Sequence, residues 1–152
     1  WDSAWMAFTA LSIAFIAGRL FFGHLPDRLG GARVSLVCVV VETAGLLMIW
    51  LAPSSLFVSI GAAVTGLGYS LVYPGFGIVA VHLSAPESRG LAMGVYTAFL
   101  DLSLGLANPA LGLLAGALGL RVVFLVSALL VAGAAAVAIR LMNSSRLPAE
   151  VL

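Results

Sequence analysis

Asp101 and Glu42 are the side chains of this 152-residue chain best placed to do chemistry, because each stands deep inside a long apolar run. Counting from Arg89 at about 1.5 Å per residue puts Asp101 about 18 Å along its segment, and the same count from Arg33 puts Glu42 at about 13 Å. An ionised carboxylate in the middle of hydrocarbon costs at least about 2.5 kcal/mol. A paired arginine, a water-filled cavity or a bound proton must offset that cost. Asp101 is therefore a candidate proton carrier or solute contact, with an interhelical hydrogen bond as the structural alternative. Glu42 carries the same alternatives.

Other polar groups are spaced to join them. Tyr69 and Tyr73 are four residues apart and share a helical face, and their hydroxyls need partners at such depth. They are expected either to contact a solute or to bond between helices. Tyr96 is a weaker candidate, better explained by packing. Gly90, Gly94, Ala98, Asp101, Gly105, Asn108, Gly112 and Gly116 recur at steps of three and four, so one face is small and polar. Its glycines suit close helix packing. Arg19, one turn before Gly23, either snorkels to the surface, pairs with Glu42 or Asp101, or meets an anionic solute. Cys38 is a lone cysteine in an apolar run and reads as a packing residue.

The elements that must hold these residues are membrane helices. With 62% hydrophobic residues, 9% charged residues and a mean hydropathy of +1.19, the composition lies far from the soluble balance of roughly a quarter charged. A net charge of +1 with arginine as the only basic residue, apart from two histidines, gives no field for nucleic acid, which is excluded as a partner. Stretches of about 20 apolar residues span the bilayer. The chain divides into five: 3–23, 34–52, 56–83, 89–117 and 121–142. Residues 1–142 are thus expected to form an all-α, five-helix transmembrane bundle, with 143–152 as a cytoplasmic tail. Pro74 and Pro109 fall inside two of the spans and should kink them.

Orientation follows from the arginines, since basic residues in short loops stay cytoplasmic. Arg28, Arg33, Arg89, Arg140 and Arg146 fall on one side and Arg121 on the other. Trp5 and Trp50 mark the opposite interface as aromatic anchors. The N-terminal end of the chain is then periplasmic and its C-terminus cytoplasmic. An odd helix count with that polarity implies a helix upstream, and restoring it gives the six-helix unit of a two-repeat transporter.

Between the first two spans lies the turn Gly23-His24-Leu25-Pro26-Asp27-Arg28-Leu29-Gly30-Gly31-Ala32-Arg33. Its pattern Gly23-x-Leu25-x-Asp27-Arg28-x-Gly30 closely resembles the signature loop of the major facilitator superfamily. A second stretch, Gly66-Leu67-Gly68-Tyr69 through Tyr73-Pro74-Gly75 to Pro86-Glu87-Ser88-Arg89-Gly90, looks like that family's fourth helix and the acidic-basic turn after it. Order and spacing match helices 8 to 12, the carboxyl-terminal half, in the manner of bacterial efflux-type permeases. Two departures stand out. Gly31 and Ala32 occupy places where the family's loop usually has basic residues, and Asn108-Pro109-x-x-Gly112 keeps only part of the glycine-rich stretch of its antiporters.

The resemblance implies secondary transport of a small organic solute by alternating access, expected to be proton-coupled efflux across the bacterial inner membrane. It implies no cofactor, no metal and no catalysis. Its partners would be the solute, the lipid bilayer and the missing amino-terminal half of the same transporter. Gly23, Asp27, Arg28, Gly30, Arg33, Glu87 and Arg89 would form the cytoplasmic gate, while Asp101, Tyr69, Tyr73, Arg19, Glu42 and Asn108 would serve substrate and coupling; for Glu42 the resemblance favours a structural role, since its helix is similar to one that lies outside the family's cavity. His24 beside the gate reads as an interfacial residue. A membrane enzyme fits poorly. There is no His-Glu-x-x-His, and Arg28-Leu29 stands where a phosphatidyl-alcohol transferase would need Asp-Gly before Ala32-Arg33. The remaining alternative is a non-transporting scaffold or an inactive fragment.

Overall fold

The computed structural model describes residues 4–144, and these are helical almost throughout. The elements are α1 (Ala4–Phe22), α2 (Leu25–Leu29), α3 (Gly31–Leu51), α4 (Ser55–His82), α5 (Arg89–Leu118) and α6 (Leu120–Ser144), with a 3₁₀ turn at Pro86–Ser88 leading into α5. All but α2 are long and apolar enough to cross a membrane. In lipid this is the physical choice, since a helix satisfies its backbone polar groups within itself.

Boundaries depart from the sequence expectation where local backbone chemistry intervenes. The charged turn is itself partly helical: Pro26 sits in the first turn of α2, where a missing N–H costs nothing. Gly30, at φ 92°, breaks the chain, and α3 restarts at once with the Val34 N–H donating to the Gly30 carbonyl at 3.2 Å. Arg33 therefore belongs to the first turn of α3, not to a loop. At the other end only Gly119, at φ 86°, separates α5 from α6, and Gly116 stays helical. Asn143 and Ser144 continue α6. The rest of the expected tail, with Arg146, lies outside the described residues.

Helix α4 is the hub, packing on α1 along one side and on α3 along another, while α3 also packs on α6. Glycine allows this. Gly61, Gly68 and Gly75, spaced by seven, present one face to α3. A Cβ on Gly61 would lie 2.8 Å from Ile49 Cγ1, one on Gly68 would strike the Glu42 backbone nitrogen, and one on Gly75 would overlap Ser35 Oγ. Towards α1, a Cβ on Gly18 would come within 2.6 Å of Ser70 Oγ, and Gly66 lies against the Leu11 carbonyl. Such backbone proximity is how membrane helices gain packing energy without a hydrophobic drive.

Helix α5 is different. It contains no buried residue and touches α4 and α6 along one side only. None of Gly90, Gly94, Gly105, Gly112 and Gly116 has anything within 4 Å of where a Cβ would sit. The small face expected to pack closely is therefore uncovered by the described residues of this chain.

Candidate functional site

Along one side of α4 runs an aromatic and hydroxyl row. Tyr69 meets Phe15 of α1 with ring centroids 5.7 Å apart, and the Arg19 guanidinium lies over that same Phe15 ring at 5.9 Å. Arg19 is thus held by a cation–π contact. It pairs with neither Glu42 nor Asp101, and no ion pair of either acid occurs among the described residues.

One turn on, Tyr73 stacks on Tyr96 of α5 at 5.2 Å with an interplanar angle of 21°. The Tyr96 hydroxyl donates to the Tyr73 backbone carbonyl at 3.0 Å. Thr97 Oγ1 gives its only proton to the Met93 carbonyl at 3.0 Å, so the 3.1 Å contact between Tyr73 and Thr97 has the tyrosine as donor. Every hydroxyl of this clasp has an acceptor, as buried polar groups require. Met93 Cε also packs where a Cβ on Gly77 would stand, at 3.3 Å.

Thr97, Asp101 and Asn108 share a face, at steps of four and seven. The clasp therefore sits at one end of the open polar stripe of α5. Asp101 and Asn108 are both exposed and carry no hydrogen bond within the described residues. Pro109 adds to that stripe by leaving the Gly105 carbonyl without its intrahelical donor, as Pro74 does for Ser70 on α4. Both helices run unbroken through their prolines.

Glu42 lies elsewhere, half-buried at the α3–α4 crossing, where its backbone abuts Gly68. The structure does not bring it to Asp101. Gly23 turns the chain so tightly after α1 that a Cβ would strike the Arg19 carbonyl, which explains the glycine that opens the charged motif. Asp27 and Arg28 on α2, with Glu87 and Arg89 around the start of α5, are exposed, and no ion pair joins them among the described residues. His24 is exposed beside them. Arg33 stands at the mouth of an apolar groove.

At the opposite end the first turn of α1, the end of α3, the start of α4 and the α5–α6 junction enclose a cleft of about 740 Å³. Arg121 spans part of it, donating to the Ala52 carbonyl at 3.0 Å and so capping the end of α3. Thr97, Ser70 and this Arg121 cap went unrecognised in the sequence. Their spacing is visible there, but not the helix each one faces.

The profile of the Major Facilitator Superfamily matches residues 2–151. An uncharacterized MFS-type transporter from Pseudomonas aeruginosa is 43% identical over 148 residues, covering 97% of this chain and 37% of the relative. Others from Burkholderia mallei and Burkholderia pseudomallei are 46% identical over 139 residues, covering 91% of this chain and 34% of each relative. The chain thus spans little more than a third of the length of these relatives. No solved structure matches it.

Proposed function

The chain belongs to the major facilitator superfamily, a family of multi-pass membrane transporters and not of enzymes, and from that premise we propose that it forms helices 8 to 12 of a secondary transporter of the bacterial inner membrane. The transporter moves a small organic solute by alternating access, with proton-coupled efflux as the direction and drive. The amino-terminal half covers the open side of α5, and the two halves rock about a site between them. Asp27, Arg28, Glu87 and Arg89 latch the cytoplasmic gate in the state where the two loops meet.

One observation carries this reading: Asp101 lies midway along α5 on a face of small residues that none of the described helices covers. A carboxylate facing only lipid there would be costly. Facing a hydrated cavity between two halves, it can take up and release a proton as access alternates. Tyr69, Tyr73 and Asn108 border that cavity and offer hydroxyl and amide groups to a solute, Arg19 adds a positive charge beside Tyr69, and Glu42 at the α3–α4 crossing serves a structural role.

The test uses the full-length transporter in proteoliposomes with a trapped pH-sensitive dye and a panel of small organic solutes. A solute of the panel should drive proton movement, and Asp101→Asn should abolish it while leaving insertion and folding intact. Proton movement unchanged by Asp101→Asn would remove the coupling role.

A further inference from the structure

Helices α1 and α3 both pack closely on α4, with no comparable contact to each other among the described residues, which leaves a furrow between them with α4 as its floor. The furrow is a groove of about 450 Å³ walled by Phe22 of α1 and by Val37 and Val41 of α3, and floored by Leu67 and Leu71 of α4. Helix α2 closes one end with Leu25, and Arg33 stands at that same end. Leu67 and Tyr69 are two residues apart, about 200° around the helix, so the groove opens on the side of α4 away from the tyrosine row. It is separate from the site described above.

The chemistry of the groove is that of an acyl chain with a charged head. Its lining is apolar apart from Arg33 and Ser70, and Val37 at 63% and Leu67 at 39% exposure leave the wall and the floor open to an occupant. From Arg33 to Val41 it runs about 12 Å, close to the roughly 15 Å thickness of one leaflet's hydrocarbon. At its mouth the Arg33 guanidinium has no ion-pair partner among the described residues, and Asp27 of the neighbouring α2 does not reach it. A free guanidinium at headgroup level, with five donors in a fork, matches a phosphodiester. A diacyl phospholipid is the occupant whose acyl chain matches the apolar floor and whose phosphate matches the guanidinium.

We propose that the furrow between α1 and α3 is a binding site for an anionic phospholipid, one acyl chain lying on Leu67 and Leu71 and the phosphate held by Arg33. Because α2 forms the closed end, the bound lipid braces the charged turn from below. The site would work whether or not Asp101 couples proton movement.

The test places a benzophenone amino acid at Val37 of the full-length transporter in nanodiscs of phosphatidylethanolamine with one-quarter phosphatidylglycerol. The same probe at Leu130, an exposed position on α6, reports ordinary surrounding lipid. Irradiation followed by mass spectrometry should give phospholipid adducts at Val37 enriched in phosphatidylglycerol over those at Leu130. Arg33→Ala should reduce that enrichment roughly tenfold, the effect of one charge-assisted contact, and Arg33→Lys should keep most of it. Monodisperse elution of each variant checks folding. An adduct ratio equal to that at Leu130, enrichment that survives Arg33→Ala, or crosslinks that run instead to another segment of the same chain would each overturn the proposal.

Discussion

The Tyr96 hydroxyl on α5 donates to the backbone carbonyl of Tyr73 on α4 at 3.0 Å, and the two rings stack above that bond. Since α5 buries no residue of its own, this pair with Thr97 is the principal polar tie between α5 and the α1–α3–α4 core. Anything that moves α5 must rotate about it or break it.

Tyr96→Phe keeps the stacking and loses one hydrogen bond, so it should lower the unfolding free energy of the full-length protein by about 0.5–1.5 kcal/mol. Tyr96→Ala loses the ring as well and should cost more. Chemical unfolding in mixed micelles measures both. Stability of both variants equal to that of the unaltered protein would show that the clasp does not hold the helices together.

The glycines of α4 and α5 should respond in opposite ways. Gly68→Ala and Gly75→Ala drive a methyl group into backbone or Ser35 and should destabilise by about 1–3 kcal/mol. Gly105→Ala and Gly112→Ala meet nothing among the described residues, and alanine is the better helix former by about 0.8–1 kcal/mol, so the packing of this half should be unharmed. With the proposed amino-terminal half seated on this face, the same two changes should slow transport in the full-length protein, because the added methyl groups would stand in that interface. Paired stability and flux assays check the contrast.

Asp101→Asn and Asp101→Glu separate charge from shape. The asparagine variant should lose proton coupling outright, and the glutamate variant should keep coupling at a reduced rate. Neither should shift thermal stability measurably, since the carboxylate has no hydrogen bond or ion pair among the described residues. A large loss of stability in Asp101→Asn would assign the residue a structural hydrogen bond instead.

Orientation has a direct check on a Cys38→Ala background. A single cysteine in place of Arg121 should react with a membrane-impermeant maleimide in cells whose outer membrane is permeable to it. One in place of Arg28 should react only after the inner membrane is opened. The reverse pattern would invert the topology.

Much of the architecture can be read from the one-dimensional pattern, because membrane helices announce themselves by length and apolar content alone. Five apolar runs become five long helices, and the prolines and glycines of the connections fall close to the observed breaks. The exceptions are local. Pro26 and Gly30 build a short helix where a loop is expected, since proline suits a first helical turn and only glycine readily takes φ 92°. The small face of α5 is also legible, being a matter of helical period.

Tertiary structure decided which faces meet, because periodicity gives a face its character but not its neighbour. Glycines of identical appearance act as tight crossings on α4 and as open surface on α5. Arg19 finds Phe15 in place of an acid, Tyr96 becomes half of the clasp, and Arg33 passes from the loop to the mouth of a groove. The type of each side chain and its depth along a helix are set by the chain itself. Its partner depends on how five cylinders pack, a global compromise of backbone proximity and polar satisfaction that no short window of sequence contains.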